Sequence, residues 1–245
     1  MFKPTILHHQ SCNDQCKSYL PDTFSVLSWN VYKNNKKTPF IRYLEKKVKE
    51  KDLQLLLFQE ATFQNSEHFS LPQFHYDAAA NIEVKKKFYG VMTASKVQST
   101  YANAYLSEGQ EAFVGPYKSM LLSSYEFKDK AKLLVLNVHV INFRENECYN
   151  RELDRFFEFI STYEGPLILA GDFNSWNLQR KEKLYEYVYK LKLKTVTFGS
   201  STDIKSFLGN NLDFIFYKGL TLIDSSVEKT GLSDHNPLFA TFKRT

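Results

Sequence analysis

The feature that most restricts how this chain folds is an apolar run that ends abruptly in polar groups, at residues 168–176 (ILAGDFNSW). Asp172 and Asn174 are two positions apart, so on an extended backbone we expect their side chains to point the same way. In open α/β sheets, ligands bind in the crevice outside the carboxyl ends of the strands. Gly, Asp and Asn are also ordinary turn residues, so one such stretch is equally well explained as a strand that simply stops.

The same pattern recurs along the chain, which favours the first explanation. Helical spacing of apolar residues predicts a helix from Thr38, with Thr38 as N-cap and Pro39 at the first helical position, and two more at 145–163 and 178–191. Polar composition predicts loops at 99–109 and 199–211. Apolar runs predict further strands at 24–30, 53–58, 75–80, 89–94, 118–127, 133–140, 212–217, 220–227 and 237–242.

The domain organisation follows from where this alternation begins. Residues 1–22 show no periodicity, so we expect an N-terminal extension followed by one α/β domain over residues 23–245. A chain of 245 residues has enough length for a substantial core, and no internal repeat or composition-biased linker divides it.

Composition limits the partners and the compartment only loosely. The net charge of +5, from 32 Lys+Arg and 27 Asp+Glu, permits an anionic partner, although lysine-rich helix faces are usually just solvated. Cys12, Cys16 and Cys148 make no zinc pattern; Cys12 and Cys16 are either a disulfide or, as we expect, free thiols. The start of the chain lacks the apolar region of a secretory signal, and no run is long enough for a membrane helix. We therefore expect a soluble, cytoplasmic monomer with no transmembrane segment.

Eight polar residues stand at the ends of apolar strands or next to them. Burying any of their carboxylates without a partner is costly, so a shared, solvated cleft that holds a metal ion is the simplest common explanation. Carboxylate and amide oxygens with few sulfurs favour Mg²⁺ or Mn²⁺ over zinc. The eight are Asn30, Glu60, His139, Asp172, Asn174, Asp213, Asp234 and His235.

Taken together, the motifs around these residues resemble those of the endonuclease/exonuclease/phosphatase superfamily. Six strings occur in the family's order: SWNV (28–31), FQE (58–60), NVH (137–139), GDFN (171–174), LDF (212–214) and SDH (233–235). The longer strings at 29–33, 137–143 and 212–217 are most similar to the bacterial YafD-like branch. The resemblance implies a deoxyribonuclease I-like, four-layer α/β sandwich: two mixed β-sheets packed face to face, with helices outside and the site at one end.

The resemblance also implies a metal site. Glu60 matches the principal metal ligand of the family, and Asn30 and Asp234 match residues that hold the metal or its waters. We expect the cofactor to be Mg²⁺, with Mn²⁺ as an alternative. Several nucleases of the family carry an aspartate two residues after the first asparagine, where this chain has Tyr32, so that second metal-binding carboxylate is absent.

Five residues match the catalytic groups of the family. Asp172 matches the group that positions or deprotonates the attacking water, and Asn174 the amide that contacts the phosphate. His235 matches the histidine that binds the scissile phosphate and takes part in proton transfer, with Asp213 orienting it. His139 stands where deoxyribonuclease I has a second histidine and abasic-site nucleases have a tyrosine. Because His235 is adjacent to Asp234, the two can face one site only on an irregular segment.

Substrate contacts are the least specific of these inferences. Asn30, Asn174, Lys33 and Asn142 are candidate substrate-binding residues, and Lys118 is another possible phosphate contact. For the two lysines and Asn142, a solvated or structural role is the simpler alternative.

The function that these residues favour is a divalent-metal-dependent phosphodiesterase in which water attacks phosphorus. We expect a phosphate-ester substrate, with nucleic acid as one possibility, because basic loops at 33–37 and 85–87 permit contacts with a phosphate backbone. Hydrolysis of a phospholipid or phosphoinositide headgroup is the enzymatic alternative, and a catalytically silent binding protein on the same fold is the other.

Overall fold

The computed structural model describes residues 6–10, 17–65, 67–110, 117–142, 145–199 and 203–245. Three helices lie among them: α1 (Thr38–Glu50), α2 (Asn146–Ser161) and α3 (Leu178–Lys190). The strands are β1 (Ile6–Gln10), β2 (Thr23–Asn30), β3 (Leu53–Phe63), β4 (His75–Val84), β5 (Lys87–Ser95), β6 (Tyr101–Gln110), β7 (Tyr117–Glu126), β8 (Lys132–His139), β9 (Leu167–Asp172), β10 (Lys194–Thr195), β11 (Ser206–Phe207), β12 (Asn210–Asn211), β13 (Asp213–Lys218), β14 (Leu220–Val227) and β15 (Leu238–Arg244).

The strands form two large mixed sheets and one small hairpin. The first sheet has the order β1-β4-β5-β3-β2-β15-β14, the second has the order β10-β13-β9-β8-β7-β6, and β11 pairs with β12. In the described residues each large sheet has one parallel pair, β2–β3 in the first and β8–β9 in the second. A helix joins the strands of each parallel pair, as a parallel connection requires. The sandwich therefore contains two βαβ units, and in each unit the carboxyl ends of two strands lie side by side at one edge of the sheet.

The strands that were easiest to predict from the sequence are buried on both faces. Along β3, Leu55 and Leu57 pack between the two sheets, whereas Leu56 and Phe58 pack on the opposite face, beneath α1. Successive side chains of a strand point to opposite faces, so a strand covered on both sides is apolar without interruption. This burial explains why the sequence shows apolar runs and little alternation.

The helices form the two outer layers. Phe40 and Leu44 of α1 pack on the outer face of the first sheet. On the far side, Leu153 of α2 and Leu184 of α3 pack on the outer face of the second sheet. The order helix, sheet, sheet, helix confirms the four-layer sandwich. No helix in the described part of the chain combines the length and apolarity needed to cross a membrane.

Two predictions about chain segments were wrong, and a third segment, outside the expected domain, contains a strand. The expected loop at 99–109 is β6, an edge strand whose mixed small and polar residues gave no apolar run. The expected loop at 199–211 contains the β11–β12 hairpin. In the supposed extension, residues 6–10 form β1, which adds antiparallel to β4 at the edge of the first sheet. All three are edge or isolated strands, which have fewer neighbours to demand an apolar sequence.

Smaller differences concern the start of α1 and the cysteines. The N-cap of α1 is Lys37, so Thr38 is already helical and makes no side-chain cap. Proline is accepted at either of the first helical positions because their N–H groups have no partner inside the helix. Cys12 and Cys16 lie outside the described residues, and Cys148 on α2 is a free thiol.

Asn137 is a buried polar residue that links the two sheets. Its side-chain amide donates to the carbonyl oxygens of Phe58 at 3.2 Å and Met92 at 2.9 Å, both in the first sheet. Its Oδ1 accepts a hydrogen bond of 2.7 Å from Nε2 of Gln59. Because Asn137 itself belongs to β8 of the second sheet, these bonds fix the separation and register of the two sheets beside their carboxyl ends.

Replacing Asn137 with Ala should lower the free energy of unfolding by about 2–3 kcal/mol, because buried donors and acceptors lose their partners. Urea denaturation measures this loss. Gln179→Ala, which removes an exposed amide from α3, should change the stability by less than about 0.5 kcal/mol. Equal stability of N137A and the wild type would contradict the linking role.

Glu152 is a buried carboxyl group on the apolar face of α2, with an exposure of 4%. Burial raises the pKa of Glu152 to about 8, although the nearby charges of Lys118 and Arg180 oppose that rise. The side chain is therefore mostly uncharged in the folded protein at neutral pH. In the unfolded chain it ionises near pH 4.5.

Glu152 should make the protein less stable as the pH rises from about 4.5 to 8. Over this range the unfolded chain releases the proton that the folded chain retains, and each unit of pKa difference corresponds to about 1.4 kcal/mol. Glu152→Gln should therefore lose less stability than the wild type between pH 5 and pH 8, as measured by urea denaturation. Glu158→Gln, an exposed change on the same helix, should behave like the wild type. An unchanged pH dependence in E152Q would contradict the buried neutral acid.

Candidate active site

One cleft at the rim of the sandwich collects almost all of the residues singled out in the sequence. It has a volume of about 510 Å³. Asp213 does not line the cleft but lies directly behind His235. The predicted site residues that line it are Asn30, Lys33, Glu60, His139, Asn142, Asp172, Asn174, Asp234 and His235.

The strand register explains why distant residues meet at Asp172. In the parallel β8–β9 pair, His139 lies opposite Asp172, and in the antiparallel β9–β13 pair, Asp213 lies opposite the same residue. Asn30 ends β2 in the other sheet, and its Nδ2 donates to Oδ2 of Asp172 at 3.1 Å. This hydrogen bond joins the carboxyl ends of the two βαβ units. Asp172 is thus the common neighbour of groups from both sheets.

Asn174 reaches the cleft by a different route from the one predicted. It lies beyond the end of β9 with a positive φ of 47°, so the alternation of a strand does not place it. Its backbone N–H donates to Oδ1 of Asp172 at 3.0 Å, and its Nδ2 donates to the carbonyl of Val140 at 2.8 Å. The shared location was predicted correctly, but its reason is a turn closed by the Asp172 carboxylate.

Glu60 also has a local geometry that the sequence did not indicate. We expected it at the end of a strand, but β3 continues to Phe63, with a register shift between Phe58 and Ala61. Glu60 lies in this bulge with a φ of 52°. A β-bulge redirects a side chain and often occurs beside an active site. Its carboxylate is partly exposed and lies 3.3 Å from Nζ of Lys33.

His235 and Asp213 form a buried pair. The distance from Nδ1 of His235 to Oδ2 of Asp213 is 2.7 Å. The backbone around His235 is held by Trp29, whose Nε1 donates to the His235 carbonyl at 2.8 Å, and by Ser233, whose Oγ donates to the carbonyl of Asn30 at 2.7 Å. The segment before β15 is irregular, as the adjacent positions of Asp234 and His235 require.

Asp234 differs from its neighbour in exposure. His235 is buried, whereas Asp234 is exposed at the mouth of the cleft, where its Oδ2 lies 3.3 Å from Nζ of Lys205. Both residues nevertheless line the same cleft. The Asp234 carboxylate is therefore the one most open to solvent among the acidic residues of the site.

The buried groups of the site titrate far from their ordinary values. Burial, and then the charge of Asp213, raise the pKa of Asp172 to about 6. Burial lowers the pKa of His235, but the charge and hydrogen bond of Asp213 outweigh it and raise that pKa to about 9. Burial, together with the positive charge of Lys118, lowers the pKa of His139 well below its ordinary value. At neutral pH the site thus contains an imidazolium, a neutral imidazole and a mostly ionised Asp172.

His139 has a cationic neighbour as well as an acidic one. Its Nε2 lies 3.2 Å from Nζ of Lys118 and 3.7 Å from Oδ2 of Asp172. Lys118 is buried, with an exposure of 7%, which makes a merely solvated role for this lysine wrong. Lys33, by contrast, is exposed at the cleft mouth.

Besides Tyr32, which the sequence analysis noted only as the replacement of a carboxylate, four lining residues were not predicted as site residues. Trp176 belonged to the first stretch considered, so its position beside Asp172 and Asn174 was the signal available. Phe207 and Leu208 were a short apolar pair in a segment interpreted as a loop, and only the following Gly209 indicated a hairpin. The four are Trp176, Lys205, Phe207 and Leu212.

The fold and the cleft together define the class of protein: a deoxyribonuclease I-like α/β sandwich with an acidic, histidine-containing cleft at one end. The chain belongs to the endonuclease/exonuclease/phosphatase family, whose model matches residues 27–235. This match confirms the resemblance seen in the six motifs.

Individual relatives agree with this assignment. A UPF0294 protein of Yersinia enterocolitica is 36% identical over 230 residues, which cover 91% of this chain and 86% of the relative, in agreement with the YafD-like branch. Among solved structures, a family member from Bacteroides thetaiotaomicron has a TM-score of 0.69 at 17% identity, covering 93% of this chain and all of the other. A mannosyl-6-phosphatase of the same organism has a TM-score of 0.62 at 17% identity, covering 89% and 99% of the two chains.

Replacing Asp213 with Asn should lower the pKa of His235, because the negative charge that stabilises the imidazolium is removed while the side chain keeps its shape. NMR titration of the imidazole resonances in the presence of EDTA measures this change, starting from about 9 in the wild type. Glu158→Gln, an exposed change on α2, provides the control and should leave the titration of His235 as it is in the wild type. A His235 that still titrates near 9 in D213N would show that another group holds its proton.

Proposed function

We propose that this protein hydrolyses phosphate esters, phosphodiesters in particular, with the help of a divalent cation. The observation that carries the proposal is the convergence of Asp172, Asp213 and His235, whose polar side-chain atoms all lie within 4.8 Å of one another. Asp172 and His235 line a cleft that Glu60 also lines. Membership of the family supports the same class of reaction, since its description includes nucleases and phosphatases.

The donor set fits a hard divalent cation. Glu60 and Asp234 offer carboxylate oxygens and Asn30 an amide oxygen, which suit Mg²⁺ or Mn²⁺. Asp172 and Asp213 are buried side by side, and their mutual repulsion contributes to the raised pKa of Asp172. A nearby cation relieves this repulsion, so the site favours binding one. When bound, such an ion neutralises charge on phosphoryl oxygens and lowers the pKa of a bound water.

The pKa values of two neighbouring residues, which lie on either side of neutral pH, assign their roles. Asp172, with a pKa of about 6, is mostly ionised at neutral pH and accepts a proton from the attacking water. His235, with a pKa of about 9, is protonated at the same pH and donates a hydrogen bond to a phosphoryl oxygen or a proton to the leaving group. Two groups whose pKa values lie on either side of the working pH in this way are typical of acid–base pairs.

Further residues bind and orient the substrate. Asp213 accepts the Nδ1–H of His235 and so leaves Nε2 available for the phosphate. Lys118 and Lys33 place positive charge in the cleft, where the substrate is anionic. Asn174 is fixed in its turn by Asp172 and Val140, which suits an amide that contacts a phosphate oxygen.

The test is hydrolysis of bis-p-nitrophenyl phosphate with Mg²⁺ or Mn²⁺, with EDTA as the reference. Asp172→Asn and His235→Ala should each lower kcat by about 10²–10⁴-fold, the usual contribution of a positioned acid or base. Glu60→Gln should raise the metal concentration required for half-maximal activity, because a carboxylate ligand is lost. EDTA should abolish the wild-type activity.

The control for these changes is His68→Ala, which removes an exposed histidine outside the cleft and should leave activity unchanged. Full activity in both D172N and H235A would overturn the assignment of the site. Absence of divalent-dependent hydrolysis on a panel of phosphodiesters, nucleic acids, phospholipids and inositol phosphates would favour a binding protein on this fold.

A further inference from the structure

Glu60 and Asp234, the two carboxylates of the cleft that are partly open to solvent, each lie beside a lysine. Nζ of Lys33 lies 3.3 Å from Oε2 of Glu60. Nζ of Lys205 lies at the same distance, 3.3 Å, from Oδ2 of Asp234. All four residues line the cleft. These are the carboxylates assigned above to the divalent cation, so an ammonium group already neutralises each carboxylate that the cation requires.

The main chain itself holds Lys33 next to Glu60. The backbone N–H of Lys33 donates to the carbonyl of Glu60 at 2.9 Å, and the two residues have positive φ values of 62° and 52°. Tyr32 has a φ of 46°, and its N–H donates to Oδ1 of Asn30 at 3.1 Å. Such conformations are uncommon for residues with a side chain and persist only where the surrounding structure enforces them. The backbone of both residues is therefore fixed, which keeps the ammonium group of Lys33 within reach of Glu60.

Lys205 is held near Asp234 by bonds between backbone segments. The carbonyl of Lys205 accepts a hydrogen bond of 2.9 Å from the backbone N–H of Leu212. Nδ2 of Asn236 donates to the carbonyl of Asp203 at 2.7 Å, which joins the segment before β15 to the segment before β11. The lysine and its carboxylate partner thus belong to two segments that are bonded to each other.

These ion pairs are weak enough to be exchanged. Lys33 is exposed and Lys205 is partly exposed, and water screens the attraction between exposed charges. A divalent cation carries twice the charge and binds carboxylate oxygens directly, so it displaces an ammonium group from them. The lysine side chain has a flexible stem, so the ammonium group can leave while the backbone stays in place. The displaced ammonium groups remain in a cleft whose proposed substrate is an anion.

We propose that Lys33 and Lys205 are exchangeable counter-ions of Glu60 and Asp234, which the divalent cation displaces and which then bind the phosphate of the substrate. This inference rests on the phosphoesterase function proposed above. The two lysines weaken the binding of the metal to the free protein and strengthen the binding of the substrate to the metal-loaded protein. Metal and phosphate therefore favour each other's binding, and by linkage they do so reciprocally.

The first test measures Mn²⁺ binding without substrate, from the EPR signal of free Mn²⁺ at constant ionic strength. Lys33→Gln and Lys205→Gln should each bind Mn²⁺ about 2–5-fold more tightly than the wild type, because no ammonium group competes for the carboxylate. Lys33→Arg keeps the positive charge and should bind Mn²⁺ like the wild type. Weaker binding by K33Q would show that Lys33 orients Glu60 for the metal, and would overturn the competition.

The second test measures hydrolysis of bis-p-nitrophenyl phosphate at saturating Mn²⁺. K33Q should raise KM by about 3–10-fold and change kcat less, because the lost ammonium group binds the phosphate in the ground state and the transition state alike. Tighter binding of the metal combined with weaker binding of the substrate is the signature of an exchanged counter-ion. A variant that merely disturbs the fold of the cleft loses affinity for both.

The matched control is Lys130→Gln. Nζ of Lys130 lies 3.2 Å from Oε2 of Glu126, and neither residue lines the cleft. This change removes one positive charge and one exposed ion pair of similar length, as K33Q does. It should leave both the affinity for Mn²⁺ and the KM of the wild type unchanged, which separates local competition from an effect of net charge.

The possible outcomes distinguish this inference from the function on which it rests. Divalent-dependent hydrolysis together with unchanged Mn²⁺ affinity in K33Q and K205Q overturns the exchange and leaves the phosphoesterase intact. Tighter Mn²⁺ binding by both variants, without hydrolysis of any phosphodiester under any divalent condition, refutes the proposed function and with it the transfer of the lysines to a substrate phosphate. Absence of Mn²⁺ binding overturns the exchange as well.

Discussion

The structure of the site depends on the close approach of β8 and β9. Gly171 lies at this contact with a φ of +144°, and a Cβ atom built on it would stand 2.0 Å from the carbonyl oxygen of Val138. Only glycine permits this approach. It lets β8 and β9 pair up to their last residues, so that His139 faces Asp172. The position of Asp172, and with it the contacts to Asn30 and Asp213, therefore depends on a residue with no side chain.

Burial of the site residues away from water determines the pKa values of Asp172 and His235. Asp172, Asp213 and His235 are each less than 7% exposed, so their charges act on one another with little screening by water. Asp172 holds its proton more tightly because it is buried beside Asp213, and it becomes a base near neutral pH. His235 also holds its proton more tightly, because Asp213 stabilises the imidazolium, and it becomes an acid. The environment of the site thus places the two pKa values on either side of neutral pH, where one group is a base and the other an acid. The Asp172 carboxylate accepts hydrogen bonds from Asn30 and Asn174, which compensate part of its burial.

How much the sequence could predict depended on how many faces of each segment are buried. Strands such as β2, β8 and β9 lie between a sheet and a helix, and their continuous apolar runs made them and their polar ends visible. β6 is an edge strand, and the β11–β12 hairpin belongs to neither large sheet, so neither needed an apolar run to form. For the same reason the site was predictable where side chains follow buried strands and obscure where they do not. Glu60 is turned by a bulge at positive φ, and Phe207 is positioned by a short hairpin. Neither backbone conformation produces a periodic pattern in the sequence.

The loops that carry the site show why the cleft keeps its shape without regular structure. Arg180 is fully buried near the start of α3, and its Nη1 donates to the carbonyls of Ile141, after β8, and Asn174, after β9. These two carbonyls belong to segments that have left the sheet and lost their strand partners. A guanidinium has several donors in a fixed plane, so a single side chain can satisfy both segments at once. Its flat face also supports Trp176. The turn that carries Asn174 and the ring of Trp176 therefore share one buried cation, and a change that displaces Arg180 alters both together.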